Sequence, residues 1–118
     1  MSKYKKLFVG KIGVCDNSDL GISKKGVHYV YIRSINNGMC DVNVITSLEN
    51  RKSSFIFKKL YQVKNGNTYP IPKKDSNFPL WSGVTHNPIK GVDISKIRDI
   101  GKKNIKRRHH FFIGKYCK

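Results

Sequence analysis

Four histidines stand in the chain, at positions 28, 86, 109 and 110, and their neighbours decide what chemistry is open to them. His28 follows a polar stretch that carries Lys24 and Lys25. His86 sits in Ser82-Gly83-Val84-Thr85-His86-Asn87, and His109 and His110 close a basic run ahead of Phe111 and Phe112. Thr46 and Ser47 add hydroxyls at the end of a β-favouring stretch. Such groups hold phosphates and move protons. Cleavage of RNA through its own 2′-hydroxyl asks for a proton acceptor, a donor and cations for the developing charge. Lys25, His28, Thr46, Ser47 and His86 are therefore the candidate catalytic residues. Each also has an ordinary use. His28 can be a hydrogen-bonded strand residue, Thr46 a β-former, and Lys24 and Lys25 loop solubilisers; for any one taken singly, that use is the commoner.

Metal chemistry has little to stand on. One glutamate and six aspartates are scattered along the chain, with no His-x3-His or Cys-x2-Cys pair. That pattern matches neither a structural zinc site nor a two-metal nuclease. No metal and no cofactor is expected. Cys15, Cys40 and Cys117 are an odd number at unrelated spacings, which points to a reducing, cytoplasmic setting and away from a disulfide framework.

Charge is the strongest compositional feature. The chain holds 24 Lys and Arg against seven acidic residues, a formal net charge of +17. Self-repulsion on that scale costs stability, so a polyanionic partner explains its retention, with nucleic acid first among the candidates. A Lys-rich background accounts for part of the excess, but not for so few acids. Residues 96–118 carry nine cations against Asp99 alone. Lys24, Lys102, Lys103, Lys106, Arg107 and Arg108 are candidate phosphate contacts, and Trp81, in a polar loop bounded by proline, a candidate base contact. Core packing is an equal alternative for Trp81 and the commoner one for Phe111 and Phe112. No run of about 18 apolar residues exists, so no membrane span is expected, and the Lys-interrupted N-terminus does not read as a signal peptide.

At 118 residues the chain is long enough for one domain and one core. A single basic domain over 1–118 is expected, with 102–118 its most basic part. Strands are expected over 7–15, 27–35, 39–47, 54–63, 68–72 and, shorter, 80–84. Asn37-Gly38 should close a hairpin between the second and third, because both residues accept positive φ. In the third strand Cys40, Val42, Val44 and Thr46 should share one face, and Asp41, Asn43, Ile45 and Ser47 the other. Asp93 should cap a helical turn through Ile94, Ile97 and Ile100, ended by Gly101. The tail 102–118 reads as strand rather than helix. Short strands between irregular turns make a mainly β fold, a small barrel or curled sheet with one or two short helical segments.

In order along the chain, strand 7–15, the Lys24-Lys25 loop, strand 27–35 and a strand ending in Ile45-Thr46-Ser47 resemble the MazF/PemK family of toxin ribonucleases. So do Ser82-Gly83-Val84, Asn87-Pro88-Ile89 and Val92-Asp93-Ile94-Ser95-Lys96-Ile97 further on. The resemblance implies a curled SH3-like barrel, usually a homodimer, and metal-independent cleavage of single-stranded RNA, with an acidic antitoxin protein blocking the groove. The family's Ser or Thr at the third strand end corresponds to Thr46 or Ser47. Its Arg-Pro pair is absent; Lys24-Lys25-Gly26 stands there instead, and lysine lacks the planar fork that grips a phosphate bidentately. Two other functions fit the same residues. One is a non-catalytic nucleic-acid-binding barrel anchored by the basic tail. The other is an inhibitor or accessory protein that captures an acidic protein surface.

Overall fold

The computed structural model describes residues 7–50, 52, 54–100 and 105–117. Its centre is the hairpin of β2 (Val27–Asn36) and β3 (Met39–Ser47). Asn37 and Gly38 turn it at φ of 52° and 78°, the doubly positive geometry that matches the twist of the flanking strands. A register shift between Ile32 and Ser34 leaves Arg33 out of the ladder.

Around this hairpin the sheet grows in both directions. β1 (Ile12–Asp16) pairs with β2, and β7 (Ile97–Asp99) pairs with β1. Gly13 is required at that crossing: a Cβ there would stand 2.5 Å from Ile97 Cγ2 and 2.9 Å from the Arg98 carbonyl oxygen. On the far side, β3 is shared by two strands. β5 (Ser82–Thr85) pairs with Ile45 to Ser47, and β6 (Ile89–Asp93) with Met39 to Val42. β4 (Thr68–Ile71) then adds to β5. All pairings are antiparallel, in the order β4-β5-β3-β2-β1-β7 with β6 off that path. The protein is mainly β, as the strand periodicities require. The sheet is open: among the described residues β4 and β7 pair with no further strand, so of the small barrel and the sheet expected, the barrel is corrected to an open sheet.

Both faces of the sheet are covered, which makes two cores. Cys15, Val30, Ile32, Cys40 and Val42 meet Leu20, Val92 and Ile94 on one side. Ile12, Tyr31, Ile45 and Val84 meet Ile71, Phe78, Ile113 and Cys117 on the other. The three thiols are free and buried, and burial pushes each up to about 11, so none is a thiolate at neutral pH. No helix among the described residues is long and apolar enough to cross a membrane.

Two expected strands are helices. Over 54–63 only Phe55 makes a bridge, to Glu49, and α1 (Phe57–Lys64) follows. Ile56, Lys59 and Val63 are half-buried while Phe57 and Tyr61 are exposed, a period of three to four rather than two. The tail forms α2 (Arg107–Tyr116). His109, Ile113 and Cys117, four apart, are its buried line; the β-favouring Phe111, Phe112 and Ile113 suggested a strand, and tertiary packing overrode them. The turn after Asp93 is a single 3-10 turn, Ile94–Lys96. Asp93 Oδ1 accepts from the Ser95 amide at 2.9 Å as a cap should, but the chain then enters β7. Gly101 lies outside the described residues.

α2 is fixed at both ends by polar groups, from the turn after β4 at one end and from the sheet at the other. At its N-terminal end Asp75, 2% exposed, accepts from Arg108 and from His109 Nε2 at 2.8 Å, and pairs with Lys106 Nζ at 3.4 Å. Hydrogen bonds from His109 and then Arg108 hold the Asp75 carboxyl far below the usual carboxylate range. The other ring nitrogen of His109 meets the Tyr69 hydroxyl at 2.7 Å. At the C-terminal end Arg33 donates to the carbonyls of Ile113, Gly114 and Cys117 at 2.9 to 3.2 Å, and buried Asn43 Nδ2 donates to Cys117 and Thr85 carbonyls, both at 2.9 Å. The Gly114 and Cys117 carbonyls are among those a helix end leaves without intrahelical partners.

Candidate functional site

Beyond the last rungs of the β2–β3 ladder, Tyr29 with Ile45 and Val30 with Val44, the period-two rule puts His28 and Thr46 on one face at the strand ends. α1 crosses there and brings Lys59. Together with Ser47 and Ile56 these three side chains line a pocket of about 360 Å³. Through Thr46, Ser47 and Tyr29 it adjoins a smaller hollow walled by Phe78, Pro79 and Leu80. Through Val27 it adjoins a hollow containing Lys24 and Lys25. The three hollows share lining residues along the strand ends, with cations beside one and, at another, Tyr29 and Phe78 meeting edge to face at 5.1 Å.

Hydrogen bonds define the protonation pattern. Asn17, 3% exposed, donates through Nδ2 to the Lys24 carbonyl at 3.1 Å. Its Oδ1 is therefore an acceptor, and His28 Nδ1, 2.6 Å away, must be the donor. A neutral His28 then carries its lone pair on Nε2, which has no hydrogen-bond partner among the described residues. Burial, and secondarily the charge of Lys59, lowers the His28 pKa, so the ring is neutral at neutral pH. Lys59 Nζ donates to Thr46 Oγ1 at 2.6 Å, and burial, then Lys24, lowers the Lys59 pKa as well. A base with an available lone pair and an ammonium that parts with its proton more readily than usual thus face one pocket.

Of the residues singled out from the sequence, the fold brings His28, Thr46 and Ser47 together and sets Lys24 and Lys25 beside them. His86 is not among them. It is half-buried after β5, its amide bonded to the Asn67 carbonyl, its pKa lowered by burial, and it lines none of the three hollows. Trp81 is half-buried with its ring edge to face on Phe55 at 5.6 Å, and its amide donates to buried Glu49 at 2.7 Å. Lys106 and Arg108 are exposed but ion-paired with Asp75, so part of their charge is answered within the fold. Arg107 is exposed and has no ion pair among the described residues; Lys102 and Lys103 lie outside them. Lys59 and Asn17 went unnoticed in the sequence. Helical spacing of Ile56, Leu60 and Val63 was the available signal for Lys59, and Asn17 had none. No group of three His, Cys, Asp or Glu side chains among the described residues could hold a metal ion. No protein-family model, no curated protein and no solved structure matches the chain.

Proposed function

We propose that the protein is a metal-independent endoribonuclease of the MazF/PemK type, acting on single-stranded RNA in the groove between His28 and Lys59. The observation that carries this is the pairing of a neutral, oriented imidazole with a lysine hydrogen-bonded to Thr46 in one pocket. His28 Nε2 takes the proton of the ribose 2′-hydroxyl, and the freed oxygen attacks the adjacent phosphorus. The bond to the 5′-oxygen breaks, leaving a 2′,3′-cyclic phosphate on one fragment. Lys59 stabilises the charge on phosphorus and gives its proton to the departing 5′-oxygen. Thr46 and Ser47 bond a phosphate oxygen, and Lys24 and Lys25 neutralise flanking phosphates as point charges in place of a guanidinium fork. Bases of an unpaired strand lie toward the half-buried Tyr29, which lines the pocket. The open sheet is then a variant of the SH3-like barrel, and the family's other properties come with it as parts of the proposal: a homodimer, a cytoplasmic setting and an acidic antitoxin in the groove.

The test is incubation of the protein with labelled single-stranded RNA in EDTA, beside His28→Ala and a Thr46→Ala/Ser47→Ala double variant. Cleavage by the wild type alone supports the ribonuclease. RNA that is retarded on a gel but never cut overturns it in favour of the second reading, a non-catalytic single-strand-binding module. Lys24-Lys25-Gly26 standing where the family has Arg-Pro is the observation that favours that alternative.

A further inference from the structure

A larger hollow than these lies elsewhere, between the N-terminal half of α2, the residues before β1 and the turn half of the β2–β3 hairpin. It encloses about 1040 Å³. Its cations are Lys11, Arg33, Lys90 and Arg107, against the single carboxylate of Asp41. Phe8 and Phe111, 58% and 67% exposed, also line it. Tyr31 and His110 lie between them, joined at 2.8 Å through the Tyr31 hydroxyl and His110 Nδ1.

Two of these cations have no structural task. Arg33 is spent on the α2 carbonyls and Lys11 pairs with Asp99. Lys90 and Arg107 are exposed and have no ion pair among the described residues. Arg107 is moreover the first residue of α2, whose first turn holds no acid. A cation at the positive end of a helix opposes the macrodipole. Phe8 and Phe111 leave most of their ring surface in solvent although Lys11 lies over the Phe8 ring at 5.6 Å and Phe112 meets Phe111 edge to face at 5.5 Å. Local choices that oppose stability mark a surface kept for a ligand. Planar rings and separated cations match the alternating bases and phosphates of an unpaired strand.

We propose that this cleft is a second subsite for single-stranded RNA, in which bases stack on Phe111 and Phe8 while Lys90 and Arg107 hold the neighbouring phosphates. This rests on RNA being the partner, but not on its being cut. The cleft reaches Arg33 on the strand that carries His28. Arg33 and His28 are five positions apart along that strand, about 17 Å.

The experiment measures binding of a fluorescent single-stranded RNA of roughly ten nucleotides, within the span such channels cover, and of polyphosphate, which has charge but no bases. Phe111→Ala should weaken RNA binding about tenfold, one stacked base's worth, and leave polyphosphate binding unchanged. Lys90→Gln/Arg107→Gln should weaken both and reduce the salt-dependence slope for RNA by about 1.4, from two lost phosphate contacts. All three side chains are exposed, so the variants keep the fold. Wild-type affinity in these variants overturns the subsite whether or not RNA is cleaved, as does a wild type that binds no RNA. Equal loss of RNA and polyphosphate binding in Phe111→Ala removes the stacking and overturns it too. Weakened binding in the variants of a protein that never cuts RNA upholds the subsite and overturns the ribonuclease.

Discussion

The Lys59 ammonium donates to the Thr46 hydroxyl across 2.6 Å, from a helix to the end of a central strand. The bond aims the charge along the groove wall beside His28. Lys59→Met should lower RNA cleavage about 100- to 1,000-fold, the scale for losing a donor aimed at developing charge. RNA affinity should change by only a few fold, since the flanking lysines remain. Single-turnover cleavage and equilibrium binding on the same variant separate the two effects.

The same lysine acts on the His28 imidazole, the base of the proposed reaction. Burial comes first among the causes of the lowered His28 pKa and Lys59 second. The acid limb of the pH–rate profile should therefore fall below the ordinary histidine value of about 6.5. In Lys59→Met that limb should move upward, because a repelling charge has gone. A limb that stays in place would show that His28 is not the group being titrated.

Stability should also depend on pH through the histidines. Burial lowers the pKa values of His28, His86 and His110. Between those lowered values and the unfolded value, the unfolded chain binds protons that the folded chain refuses, so stability falls as pH falls. The contribution is intact above the unfolded value, is lost on descending through it, and levels off once the folded histidines titrate. Melting temperature should drop between about pH 7.5 and about pH 5, and His28→Gln should flatten part of that drop.

Ile113, on the inward line of α2, is fully buried. Ile113→Ala should cost about 2–5 kcal/mol in urea unfolding, from lost transfer energy and the cavity left behind. Asp75→Asn should lower the urea midpoint more than Lys106→Gln does. It removes the carboxylate that three cationic or donor groups share, whereas the lysine is one exposed partner of three. A double variant with His109→Gln should fall short of the summed single effects, because both act through one bond.

The elements legible in the sequence are those whose information is local. Asn37-Gly38 specifies its turn by backbone preference alone, and the hairpin follows, with its register shifted at Arg33. Pro70 and Pro72 mark β4 as short and extended. The two helices were obscured because Phe55-Ile56-Phe57 and Phe111-Phe112-Ile113 favour strands by residue type. What makes 107–116 a helix is the company of Asp75, Asn43 and Arg33, all remote in sequence. His28, Thr46 and Ser47 could be named from their types and strand ends. Lys59 could not join them, because its place depends on α1. Asn17, which sets the His28 tautomer, gives no sign of that role before the loop is folded.

The bonds that fix α2 have a consequence for how the protein is made. Arg33 and Gly114 are 81 positions apart, Asn43 and Cys117 are 74, and Asp75 and His109 are 34. The helix therefore closes long loops, and such contacts form late. On the ribosome, β1 to β6 emerge and pair while Ile45, Ile71 and Val84 still lack their cover from Ile113. Until residues 105–117 have been synthesised the nascent chain exposes that apolar face, and this interval is when it is most open to chaperone binding and aggregation.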